Sequence, residues 1–132
     1  MRLIISSIQN DNENTVIYGI TEIGIIKGIW KYEESPVLLN AYSVELSFEK
    51  FDKQIVTEHQ EEIYAEIWGI DDTVHFHGVC EDIDEDVYYI RFADDWLDMV
   101  EIPGDTPEIN KGDHVYFSAK YRNVHIYPYS GY

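Results

Sequence analysis

The feature that most restricts this chain is the spacing of its apolar residues, which alternate with polar ones in short runs and almost never recur at helical spacing. A period of two sends successive side chains to opposite faces, the pattern of strands half-buried against a core. The runs predict strands over Arg2 to Ile8, Thr15 to Ile20, Gly24 to Trp30, Tyr42 to Phe48, Glu62 to Ile70, Thr73 to Cys80, Val87 to Phe92, Leu97 to Ile102, His114 to Tyr121 and Asn123 to Tyr127. Asp71-Asp72, Ala93-Asp94-Asp95 and Arg122-Asn123 read as tight turns that make hairpins of the strands beside them. Only Glu49 to Gln60, where Phe51 and Ile55 form a short apolar edge, reads as a helix. So many short strands in 132 residues predict an all-β fold, a barrel or a sandwich, with at most one short helix. No linker, low-complexity run or repeat divides the chain, so residues 1–132 read as a single β domain.

The alternation also predicts the core. Val115, Phe117, Ala119 and Tyr121 should face inward and His114, Tyr116, Ser118 and Lys120 outward; Tyr42, Val44, Leu46 and Phe48 should face inward and Ser43, Glu45 and Ser47 outward. With 45% hydrophobic residues, such a chain can remove roughly two-thirds of its unfolded surface from water without help from a disulfide or a metal. In Glu62 to Ile70 both faces carry large side chains: Ile63, Ala65 and Ile67 on one, Tyr64, Trp68 and Ile70 on the other with Glu66 among them. Either a loop covers the second face or a partner does.

The single cysteine, Cys80, rules out an intrachain disulfide and suits a reducing cytosol, where it reads as a buried structural thiol. The apolar run at the start, Met1 to Asn10, is short for a signal peptide, and Gly19 to Trp30 is interrupted by Glu22 and Lys27 and falls short of a membrane helix. The expectation is a cytoplasmic protein that binds neither membrane nor nucleic acid directly, because nine Lys and Arg stand against 26 Asp and Glu.

Candidates for chemistry are few. His75 and His77 would point to the same side of a strand, and Glu66 on the preceding strand could complete a metal set; the plainer reading is a partly exposed strand face. Asp82, Asp84 and Asp86 have the spacing of the first calcium ligands of an EF-hand loop, but Val87 stands where that loop needs glycine and Ala93 where it needs a bidentate Glu, so the run reads as a solvated turn. No phosphate loop, nucleophile elbow or catalytic triad is visible, and the expectation is a protein without enzymatic activity, metal or cofactor.

Charge distribution is the most informative functional signal. Between Glu58 and Glu108 stand seventeen acidic residues and a single base, Arg91, so this stretch carries all but one unit of the net charge of −17. Such a field speeds the capture of a positively charged partner, and aromatics within it can anchor an interface. The predicted partner-binding residues are Tyr64, Trp68, Asp84, Asp86, Tyr88, Asp94, Asp95 and Trp96. A solubilising role for the acidity is the alternative.

Two resemblances bear on these expectations. The order Ile109-Asn110-Lys111-Gly112-Asp113-His114-Val115-Tyr116-Phe117-Ser118, followed by Val124-His125-Ile126-Tyr127-Pro128, resembles the closing hairpin of small OB-type barrels, in particular the TOBE domains of transport ATPases. That resemblance speaks to fold. A compact acidic β-rich chain with Gly28-Ile29-Trp30 leading through a Pro36 loop to Tyr42-Ser43-Val44-Glu45-Leu46 resembles the small immunity proteins that bacteria keep in the cytosol against polymorphic toxins. It implies a non-enzymatic binder that neutralises a basic toxin or nuclease domain. A DNA-mimicking inhibitor of a restriction or other DNA-binding enzyme, and a small β-barrel enzyme or ligand carrier, are the alternatives.

Overall fold

The computed structural model describes residues 1–58, 60–68, 72–101 and 108–129, with the side chains of 53 and 54 excepted. Eleven strands follow one another: β1 (Arg2–Asp11), β2 (Asn14–Thr21), β3 (Gly24–Trp30), β4 (Ala41–Phe48), β5 (Lys53–Glu58), β6 (Tyr64–Trp68), β7 (Thr73–Asp84), β8 (Val87–Ala93), β9 (Trp96–Glu101), β10 (His114–Lys120) and β11 (Val124–Pro128). The fold is all-β, as the alternation predicts. Among the described residues no helix is long and apolar enough to cross a membrane.

Five strands close a barrel in the order β1-β2-β3-β11-β4, with β11 parallel to β3 and every other pair antiparallel. The other six form a second sheet. Its path is β5-β10-β7-β8-β9, and β6 pairs with the first half of β7. Val79 pairs with both His114 and Arg91, so β8 lies on the edge of β7 opposite β10 and follows β6 along that same edge.

Three expectations are corrected. Glu49 to Gln60 is not a helix: Lys53–Glu58 is a strand that pairs with β10, while His59 lies outside the described residues. One apolar pair, Phe51 and Ile55, cannot repay helix nucleation, whereas the β-branched run Ile55-Val56-Thr57 fits an edge strand with Ile55 buried. Arg122-Asn123 does not close a hairpin either, because Tyr121–Asn123 is a 3-10 turn that carries the chain from the second sheet into the barrel. For the same reason β10 and β11 do not form the closing hairpin of the first resemblance: β10 pairs with β5 and β7, β11 with β3 and β4. Of the other turns, Asp94-Asp95 joins β8 to β9 as expected, and Asp71 lies outside the described residues.

Inward residues of both sheets merge in one apolar cluster. Phe117 stands at its centre, with the rings of Phe48, Phe51, Phe76 and Phe92 at 5.4, 5.5, 5.0 and 6.2 Å. Ser118, assigned to the outer face, is also fully buried, and Tyr121, assigned inward, is only half-buried. The two sheets meet closely where β3 begins: Ala65 donates its backbone N–H to the Ile23 carbonyl, and a Cβ on Gly24, whose φ is +145°, would lie 2.1 Å from the Ala65 oxygen. A second tie is polar. Lys27 of β3, nearly buried, pairs with Asp72 at 2.7 Å and lies 4.0 Å from the Tyr121 ring centre, while the Tyr121 hydroxyl donates to Asp11.

Candidate functional site

One face of the second sheet closes the core, and the pairing registers put Val56, Tyr116, His75, Trp68, Leu97 and Met99 on the other. Val56, Trp68, Leu97 and Met99 are exposed there, Met99 at 66%. The Trp68 ring lies flat on His75 with centroids 3.8 Å apart, and His75 Nδ1 shares a 2.6 Å hydrogen bond with the Tyr116 hydroxyl. Tyr64, half-buried, packs against both Trp68 and His77. The second face of Glu62 to Ile70 therefore presents Trp68 to solvent over its described part.

His75 and His77 do share a side, as strand geometry requires, but their surroundings differ. His75 belongs to the aromatic stack. His77 is 1% exposed, and its Nε2 and the Nδ1 of neighbouring His114 are buried with no hydrogen-bond partner among the described residues. Burial, then His114, pulls the His77 pKa below its usual 6.5. Among the described residues no group of three or more His, Cys, Asp or Glu is placed to hold a metal ion. Cys80 is buried on the opposite face, and burial pushes its thiol up. The Glu81 to Asp86 run is a hairpin: Asp84 pairs with Val87 around Glu85, which adopts a left-handed φ of 56°. Asp82 accepts from the Ile83 backbone and pairs with Lys111, which holds its carboxyl below the usual range.

The predicted binding residues do not form one spot. Tyr64 and Trp68 lie on the outer face, and Asp94 and Asp95 are exposed in the β8–β9 turn. Asp84 and Asp86 flank the β7–β8 turn at the other end of β8, about 20 Å away at ~3.3 Å per residue. Tyr88 and Trp96 are each only 3% exposed and belong to the core, so as outward anchors they are corrected. Their acid-rich neighbourhood hides an inward register.

A groove that the sequence reading missed runs between β4 and β9, with a cavity of about 510 Å³. Consecutive residues line it on both sides, Glu45 through Phe48 and Asp95 through Met99. Because neighbours on a strand point to opposite faces, a cavity lined by consecutive residues lies along the strand edges. On β9, Asp98 turns inward, almost wholly buried, and accepts a 2.7 Å hydrogen bond from Trp96 Nε1. Burial pushes its carboxyl up to about 7 against the opposing pull of Trp96 and the Met1 ammonium. Glu45 accepts from the Tyr129 hydroxyl at the rim.

No protein-family model, curated protein or solved structure matches the chain.

Proposed function

We propose that this chain is a non-enzymatic cytoplasmic binding protein that covers and neutralises a basic protein, in the manner of an immunity protein against a toxin nuclease. The observation that carries the reading is the second sheet's outer face, where Trp68 is exposed beside Glu62 and Glu66 at one end and Leu97 and Met99 are exposed beside Asp94, Asp95 and Glu101 towards the other. Apolar anchors ringed by charge are the anatomy of a protein interface. The one base of the Glu58 to Glu108 stretch, Arg91, is held by both oxygens of Glu81, so it compensates that acid alone. A nuclease surface attracts phosphates, and carboxylates presented in their place can occupy it.

The test is capture from the native host followed by purification of the captured partner. The expected result is a basic protein whose nuclease activity falls to zero at one equivalent, with an association rate that drops roughly tenfold or more between low and physiological salt. A partner whose activity is untouched, or whose association ignores salt, would overturn the proposal.

A further inference from the structure

The groove between β4 and β9 is bounded by backbone edges as well as side chains. Within the described residues β9 pairs only with β8, so its other edge carries unpaired N–H and C=O groups. On β4, β11 occupies one edge over Val44 to Phe48, while β1 occupies the other only over Ala41 to Ser43. Past the Val44 N–H, which bonds the Met1 carbonyl, that edge too has no strand beside it among the described residues. Two open edges thus face one slot. Its charge is one-sided: Glu45, Asp95, Asp98 and Glu101 line it with no Lys, Arg or His, and the Met1 ammonium is tied to the Val44 carbonyl. Leu46, Phe48 and Phe51 supply apolar wall.

We infer that this slot receives one extended, lysine- or arginine-bearing segment of the partner, which adds a strand to the β9 edge. The inference rests on the reading of the chain as a binder of a basic protein. Main-chain hydrogen bonds to an open edge give such a segment affinity, and pockets for alternate side chains give it specificity. The inward Asp98 decides which segments are admitted. Asp98 is already almost wholly buried with the Trp96 indole donating to it, so an apolar strand brings nothing to compensate its charge, whereas a cation opposite it does. A second copy of this chain is disfavoured, because acidic edge would meet acidic edge.

The experiment titrates the ¹⁵N-labelled protein, at physiological salt, with a peptide as long as β9 that alternates valine and lysine. Its comparators are the same peptide with glutamate for lysine and the same peptide with every amide N-methylated. The slot predicts amide shifts confined to Glu45–Phe48 and Trp96–Glu101, no binding of the glutamate peptide, and at least roughly tenfold weaker binding after N-methylation, which keeps the charge and removes the strand donors. Glu45→Gln with Glu101→Gln should weaken binding about fivefold. Asp11→Asn with Glu13→Gln, removing the same charge at the β1–β2 turn about 30 Å along β1 from Met1, should change it by less than about twofold. Absence of β9 shifts at millimolar lysine peptide, equal binding of the N-methylated peptide, or equal loss in both double variants overturns the slot. Those outcomes leave the salt-dependent binding of a basic protein standing, because that is read separately from the association kinetics of the purified partner.

Discussion

Trp96 and Asp98, two residues apart on β9, point the same way into the core and are joined by a 2.7 Å hydrogen bond from the indole N–H to the carboxyl. The bond leaves the carboxyl oxygen accepting in either protonation state, so ionisation costs mainly the burial of a charge, and the group titrates at about 7 instead of 3.8. A folded-state pKa raised above the unfolded value means the native state binds the extra proton, so this contribution is fully present below pH 3.8 and is lost as pH rises through about 7. At about 1.4 kcal/mol per unit the loss is on the order of 4 kcal/mol. Asp98→Asn, which keeps an oxygen for Trp96, should therefore be more stable than the parent at pH 8 and not at pH 4, as measured by urea unfolding at both.

His77 has the opposite sign. Its folded pKa is depressed, so its contribution is present above the usual 6.5 and is lost as pH falls through the lower folded value. Replacing it by Phe keeps a ring between Tyr64 and His114 and removes the charge. The variant should lose less stability than the parent between pH 7 and pH 5, and an unchanged slope in thermal unfolding over that range would show that His77 takes up its proton equally in the folded and unfolded chain.

Lys27 and Asp72 should respond unequally. Burial pulls the Lys27 pKa down, and its hydrogen bonds to Asp72 and Tyr18 outweigh that and raise it. Asp72→Asn leaves a nearly buried ammonium facing tyrosine rings and should cost about 2 kcal/mol or more, while Lys27→Met leaves a half-exposed carboxylate that water can solvate and should cost under about 1 kcal/mol. Chemical denaturation of the two variants settles the order.

Phe117→Ala removes the ring that Phe48, Phe51, Phe76 and Phe92 all touch. With both sheets packed on it, the cavity cannot collapse from one side, and the expected loss is about 3–5 kcal/mol. One cooperative unfolding transition, lowered as a whole, is the expected trace; separate melting of barrel and second sheet would show that the shared core does not couple them.

How much of this was legible depended on whether a strand's two faces differ in chemistry. In β8, Tyr88, Ile90 and Phe92 alternate with Val87, Tyr89 and Arg91, so the inward register was readable and the burial of Tyr88 could have been seen. In β9 it was not. Trp96, Asp98 and Val100 alternate with Leu97, Met99 and Glu101, two apolar residues and one acid on each face, and only the packing of β8 onto the core chooses between them. The strand at Lys53–Glu58 escaped because a single buried residue, Ile55, marks its inner face. The slot was beyond reach of any local pattern, since it arises where two edges about fifty residues apart in sequence come to face each other.

Kinetics of partner binding should separate long-range steering from local anchoring. Asp84→Asn with Asp86→Asn removes two charges from a hairpin turn that holds no anchor, so it should slow association and flatten its salt dependence while leaving dissociation nearly unchanged. Trp68→Ala removes an exposed ring that rests on His75 and carries no charge, so it should leave association nearly unchanged and speed dissociation, by roughly tenfold if the ring is a central anchor. Tyr88→Ala and Trp96→Ala are unsuitable for the same purpose, because both rings are buried and their loss would lower stability before it touched an interface. Stopped-flow measurement with the purified partner at two salt concentrations reads both rates. If Trp68→Ala leaves dissociation as it was while the turn variant slows association, the acids act and the aromatic face does not, and the contact surface shifts from the outer face to the β9 edge; if neither variant moves its rate, the carboxylates serve solubility and the partner's surface need not be basic.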